Sequence, residues 1–305
     1  MKYILNESRQ IYISKINAVQ DYIEKHLDLD LHIEQLAQIA SFSVFHFQRI
    51  YHQITGENLY AFIKRLRLEK AAFLLLSNKS LSISDIAISV GFSNQSSFAK
   101  AFKKRYEINA SQLRCLEDLE LNNIKENENS INGKVFYENE RYNIPMELTF
   151  KSMEPTKVIY TRYVGFYKGN SDLFMKLFSK LYNYVNMKNL IRNDSKWFVA
   201  YHDFGDLTAD NKLRLSVCMS IDENVEEIGE FGHMSLEGGR YAVGRFLLKP
   251  DEYQGAWNYM FSKWLPESGY VPDDRICFEH YPVEDCIENK EGRIVEIFIP
   301  ISPLK

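Results

Sequence analysis

VGFSNQSSFAKAFKKRY, residues 90–106, decides the fold of the first third of the chain. Gly91 marks a turn, and the segment after it places apolar residues at helical spacing, with Phe98 and Phe102 four apart. The opposite side of that helix carries Gln95, Ser96, Ser97 and Lys100, in front of the basic run Lys103, Lys104, Arg105. Small hydrogen-bonding groups backed by cations suit an anionic partner. The 305-residue chain as a whole does not announce one, since its formal net charge is −4.

The charge is divided unevenly. Residues 1–114 hold 15 Lys+Arg against 10 Asp+Glu, whereas residues 115–305 hold 22 against 31. A basic module that meets an anion and an acidic module with another task are the expected parts. A composition of 45% hydrophobic and 26% charged residues is that of a globular protein long enough for two cores. The start, MKYILNESRQ, lacks the pattern of a secretory signal, and the longest apolar run, AAFLLL (71–76), is too short to span a bilayer. Cys115, Cys218, Cys277 and Cys286 show no paired spacing, and His46 and His52 lie six apart, off one helix face. No metal, cofactor or membrane partner is expected, and the thiols fit a reducing cytosol.

Ile16, Val19, Tyr22 and Ile23 recur at helix spacing, as do Ile33, Leu36, Ala37 and Ala40. Ser43 can cap a helix, FHFQRIYHQI, that Gly56 ends. Residues 58–77 contain no Gly or Pro and predict a rod about 30 Å long. Ser82 with Asp85 has the form of a capping box before the short helix IAISV, which runs into Gly91. The first third therefore holds the same helix-turn-helix unit twice, with a rod between. Residues 115–143, rich in Asn and Glu, have linker composition.

After Pro145 the pattern changes. Strands are predicted at 146–153, 157–165, 197–204, 213–221, 239–247, 275–283 and 295–301, and helices at 172–185 and 251–265. Strand, helix, strand, strand occurs twice, predicting two similar halves of one antiparallel-type sheet in an α+β domain. On the strand around residue 279, Cys277, Glu279 and Tyr281 should face one way and Ile276, Phe278 and His280 the other.

Residues 1–114 resemble the AraC/XylS family of bacterial transcription regulators, through LAQIASFSVFHFQRIYHQITG (36–56) and IAISVGFSNQSSFAKAFKKRYEINASQLR (86–114). The second stretch matches the family signature at Ile86-Ala87, Gly91-Phe92, Gln95, Phe98, Phe102-Lys103 and Arg114. It departs at Glu107, where Gly is usual, and at Asn109-Ala110, where Thr-Pro is usual. His32 stands where a better helix cap is the rule.

The resemblance implies two groove-facing sets, Phe45, His46, Gln48 and Arg49 on the first reading helix, and Gln95, Ser96, Ser97, Ala99 and Lys100 on the second. Lys103 and Lys104 flank the latter. The chemistry agrees: Arg pairs with guanine, Gln with adenine, and small side chains approach thymine methyls. For each residue the alternative is a solvated helix face, and for Phe45 a core position. Phe47, Ile50, Tyr51, Phe92, Phe98 and Phe102 are read as core.

Residues 144–305 resemble the GyrI-like effector-binding domain, through Gly165-Phe166-Tyr167, GGRYAVGRF (238–246), KWLPESGY (263–270), FEHYP (278–282) and IFIPI (297–301). Phe246-Leu-Leu-Lys-Pro stands where a second Gly-Pro-Tyr is expected. The resemblance implies a groove for lipophilic or cationic small molecules, with Glu279 as its carboxylate; Tyr281, on the same strand face, and Tyr167 and Trp257 are the candidate aromatic walls. A salt-bridged rim position for Glu279, and a core position for Trp257, are the alternatives.

The expected protein is a DNA-binding regulator in the bacterial cytoplasm, on the nucleoid, with duplex DNA, a small effector and RNA polymerase as partners and no catalytic residue. Two other readings stay open for the C-terminal domain: a hydrolase using Glu279 with a tyrosine, or a protein adaptor without a ligand.

Overall fold

The computed structural model describes residues 2–78, 80–115, 143–203, 207–222, 230–273, 275–282 and 292–303, which divide into a helical unit and a sheet unit. Apart from Cys115 and Asn143, the expected linker lies outside the described residues, as does Cys286.

The helical unit runs α1 (Lys2–Lys25), α2 (Ile33–Ile39), α3 (Val44–Thr55), α4 (Leu59–Ser77), α5 (Ile83–Ser89), α6 (Gln95–Tyr106) and α7 (Ala110–Cys115). Side-chain caps define most starts. Ser43 accepts from the backbone N–H of His46, Asn58 from Tyr60, Ser82 from Asp85 and Asn94 from Ser97. His32, as its chemistry suggests, starts α2 without a side-chain cap. The capping box at Ser82 is altered: Asp85 is too short to reach back to the backbone and instead accepts the Ser82 hydroxyl at 2.6 Å.

Each helix-turn-helix has its own aromatic core. Phe47 and Tyr51 of α3 meet Phe62 of α4, with Ile16, Val19 and Ile23 of α1 and Leu36 and Ala37 of α2 closing the first. Phe98, Phe102 and Tyr106 pack in sequence along α6 with tilted rings, and Ile86 and Ala87 of α5 are fully buried. Gly91 has φ +89°, and a Cβ there would run into the Leu27 carbonyl oxygen and the Arg67 guanidinium, so the turn requires glycine.

The sheet unit is built from β1 (Glu147–Met153), β2 (Thr156–Val164), α8 (Ser171–Met187), β3 (Trp197–Tyr201), β4 (Arg214–Ser220), β5 (Gly232–Leu236) and β6 (Gly239–Leu248). Helix α9 (Tyr253–Asn258) follows, continuing through a π-helical turn (Tyr259–Trp264) into Leu265–Glu267; then come β7 (Tyr270–Pro272), β8 (Cys277–Tyr281) and β9 (Arg293–Pro303). The strand order is β1-β6-β9-β8-β3-β4-β2-β5, with β7 added on β9.

Two halves are visible, as expected: β1-β2-α8-β3-β4, in which the strand predicted at 146–153 is β1, then β5-β6-α9-β7-β8-β9, in which β5 and β7 are additions to the predicted pattern. The opening strand of each half joins the far edge of the other, β1 on β6 and β5 on β2. Strands β3 and β8 meet at the centre, with Val199 opposite Glu279. Helix α8 packs on β2 and β4. The other sheet face is an aromatic core of Phe198, Tyr241, Phe278 and Phe298, in which Phe278 and Phe298 stack at 4.7 Å.

Candidate DNA-reading helices and ligand box

On α3, Phe45, His46, Gln48 and Arg49 are all exposed, while Phe47 and Tyr51 are fully buried and Ile50 is half-buried. Phe45 is 78% exposed, so it is not a core residue. Its ring leans edge-on toward His46, whose Nδ1 lies 3.1 Å from the Ser43 hydroxyl that caps the helix. The cap therefore holds the His46 ring, while Phe45 stands out from the helix.

On α6, Gln95, Ser96, Ser97, Ala99, Lys100, Lys103 and Lys104 are exposed; Phe98 and Phe102 are buried and Phe92 half-buried. The Ser97 hydroxyl donates to the Asn94 carbonyl oxygen at 2.9 Å, leaving its lone pairs outward. Arg114 donates to the Leu81 carbonyl oxygen and so ties the chain after α6 to the entrance of α5. Glu107 ends α6 at φ +60°, the left-handed C-cap conformation glycine would fill, so the turn survives the substitution.

In the sheet unit, Glu279 is 1% exposed. Tyr281 donates its hydroxyl to Oε2 at 2.6 Å and Trp257 its indole N–H to Oε1 at 2.7 Å, with Tyr201 a third donor. Tyr201 packs against Trp257 (5.4 Å between ring centroids) and Tyr167 (5.7 Å), and Phe178 of α8 lies edge-on to Tyr281. Glu279, Tyr281, Tyr167 and Trp257 thus come together in one aromatic box. Sequence reasoning missed two members. Tyr201 shares the face only through the β3–β8 register, which no local pattern encodes. Tyr253, four residues before Trp257 and so on the same helix face, was legible by spacing.

The electrostatics follow from burial. Desolvation raises the Glu279 pKa, against the opposing effect of its three donors. Burial and the nearby carboxylate raise Tyr201 and Tyr281 well above the phenol range, and Tyr253 to about 12, so all three remain protonated donors. Trp257 and Trp264, seven residues apart and so expected on one face of a regular helix, do not share a wall. The π-helical turn shifts the register between them, and Trp264 packs toward Phe150 instead. Phe246 and its neighbours continue β6 straight on, in place of a turn like that at Gly165.

Buried aromatic seams beneath polar outer faces, twice repeated and followed by a duplicated sheet domain with a buried carboxylate, define a class: a chain that joins an AraC-type helix-turn-helix domain to a small-molecule-binding domain. The chain belongs to the GyrI-like small molecule binding domain family, which it matches over residues 146–302, and residues 36–115 match a helix-turn-helix domain. It is 41% identical over 85 residues to an uncharacterised HTH-type transcriptional regulator of Haemophilus influenzae, covering 28% of either chain. It is 28% identical over 140 residues to a DNA gyrase inhibitor of Yersinia enterocolitica, covering 44% of this chain and 86% of that one. A solved AraC-type transcriptional regulator from Chromobacterium violaceum is 24% identical, with a TM-score of 0.31 over 33% of this chain and 88% of that one. Among the described residues no helix is long and apolar enough to cross a membrane.

Proposed function

We propose that the protein reads a two-part duplex site with α3 and α6, and that a lipophilic organic cation bound beside Glu279 modulates it. The observation that carries the effector reading is the Glu279 carboxylate, buried among aromatic rings and compensated by neutral donors. Such a group is costly to keep charged, and a cation supplies both the missing counter-charge and a fit to aromatic faces. The exposed polar faces of α3 and α6 support the DNA reading in the same way. Contact with RNA polymerase and residence on the nucleoid belong to this proposal.

The test is calorimetric titration of the full chain with a quaternary ammonium or phosphonium ligand and its neutral isostere. Glu279→Gln keeps the shape and removes the charge, so it should weaken the cation and spare the neutral ligand. Equal losses for both, or none, would count against the proposal. The raised pKa of Glu279 also suits a general base, and ester turnover by the full chain that disappears in Glu279→Gln would favour the hydrolase reading.

A further inference from the structure

Between the two reading helices lies a chain of four alternating charges. Glu57 follows Gly56, the left-handed cap of α3. Its carboxylate takes the fork of Arg65, with Nε 3.2 Å from Oε1 and Nη2 3.0 Å from Oε2. Arg65 turns its other nitrogen to Glu69, one turn further along α4, at 3.2 Å. Glu69 in turn accepts from Arg105, in the last turn of α6, at 2.8 Å. Arg65 and Glu69 are 5% and 3% exposed.

Two carboxylates and two guanidinium groups balance. Even so, buried ion pairs give little net stability over apolar side chains of the same volume, because desolvation offsets their attraction. What they do supply is direction. A planar guanidinium holds a carboxylate in one plane and at one angle, which a leucine contact does not. The core of α6 already comes from Phe98, Phe102 and Tyr106. The charges add a fixed angle between α6 and the rod that also carries the end of α3.

We infer that Glu69 is a positioning residue that sets the spacing between the two DNA segments the protein reads. The inference rests on the DNA-reading proposal above. Helices held at one angle meet the major groove at one separation, close to a helical turn of about 34 Å. If α6 can pivot on its aromatic core, neighbouring separations become acceptable. Glu69→Gln keeps the shape, weakens both ion pairs and leaves every reading side chain in place.

The experiment uses the full chain and a duplex selected on the wild-type protein, with the two half-sites moved apart or together by one and two base pairs. Wild type should lose about tenfold in affinity for each step away from its preferred spacer. Glu69→Gln should flatten that profile to under about threefold while keeping the base preference within each half-site. Arg49→Ala should do the reverse. Arg105→Lys keeps the charge, replaces the guanidinium that donates to Glu69 at 2.8 Å with a more loosely held ammonium and should also flatten the profile; it answers the question should Glu69→Gln not fold. A wild-type spacing profile in these variants, or the failure of both to fold, makes the network a stability element and overturns the inference. A wild-type protein with no two-part site overturns the DNA reading itself, before Glu69 is reached.

Discussion

The Tyr281 hydroxyl lies 2.6 Å from Oε2 of Glu279, two residues back on the same central strand. A charged acceptor and a neutral donor this close, both buried, make a strong hydrogen bond without a counter-ion. The consequence is a dependence of stability on pH. Burial raises the Glu279 pKa, so the folded state holds its proton more tightly than the unfolded chain does. That contribution is full below the ordinary carboxylate range and is lost as pH rises through the folded pKa. Glu279→Gln, a mimic of the protonated form, should match wild type in acid and gain on it as pH rises toward neutral. Thermal melts of the full chain at several pH values measure this; parallel curves would mean that Glu279 does not titrate abnormally.

Glu296 should behave in the opposite sense. Burial alone would raise its pKa, but His280 at 3.0 Å and Lys151 at 3.0 Å bring it down to about 2. Its stabilising contribution is present above the ordinary carboxylate range and disappears as pH falls toward 2. Glu296→Gln should therefore melt below wild type at neutral pH and converge with it in acid. A gap that does not close with acidity would point to packing, not charge.

Glu107 ends α6 with φ +60°, a conformation that costs a residue with a Cβ about 1–2 kcal/mol. Glu107→Gly should recover about 1 kcal/mol, less the backbone entropy that glycine loses on folding. A raised melting temperature with unchanged DNA binding is the expected result. A lowered one would show that the Glu107 side chain contributes more than its backbone costs.

How far the sequence could be read follows its interactions. The helical unit was legible nearly throughout, because caps such as Ser43 and Gly56 and seams such as Phe98–Phe102 are local. In the sheet unit, alternation placed Glu279 and Tyr281 on one face and Phe278 and His280 on the other. β5 escaped because GHMSL offers only Met234 and Leu236 as apolar residues, and β7 because it is three residues long. Tyr201 escaped because its place beside Glu279 depends on strand order, a relation between segments about 80 residues apart. The π-helical turn, which separates Trp257 from Trp264, likewise has no signature in residue spacing.

Arg214 and Asp203 form a second buried pair, with Nη2 2.6 Å from Oδ1 and the Arg214 backbone N–H 2.7 Å from Oδ2. Arg214 is 1% exposed, so removing its partner's charge leaves a cation in the protein interior. Asp203→Asn should cost about 3–5 kcal/mol, and exchanging both residues for apolar ones of similar size should recover much of it. Denaturant unfolding of the single and double variants measures the difference. A mild single variant would mean that the pair is hydrated in solution.

Direct reading and simple charge attraction at the two helices differ in how they respond to sequence and salt. Arg49 and Gln95 are exposed on the outer faces of α3 and α6, where a fork can engage guanine and an amide adenine. Arg49→Ala and Gln95→Ala should each lose about 1–3 kcal/mol of discrimination at particular base pairs. Lys104 lies in the last turn of α6, one turn beyond Lys100, where a phosphate contact is the natural role. Lys104→Ala should weaken all sequences alike and lower the slope of log affinity against log salt by about 1. Selection on randomised duplexes, with titrations at several salt concentrations, separates the two effects. If Arg49→Ala left the selected sequences unchanged and altered only the salt slope, α3 would be a phosphate-binding helix. Base reading would then fall to α6 alone.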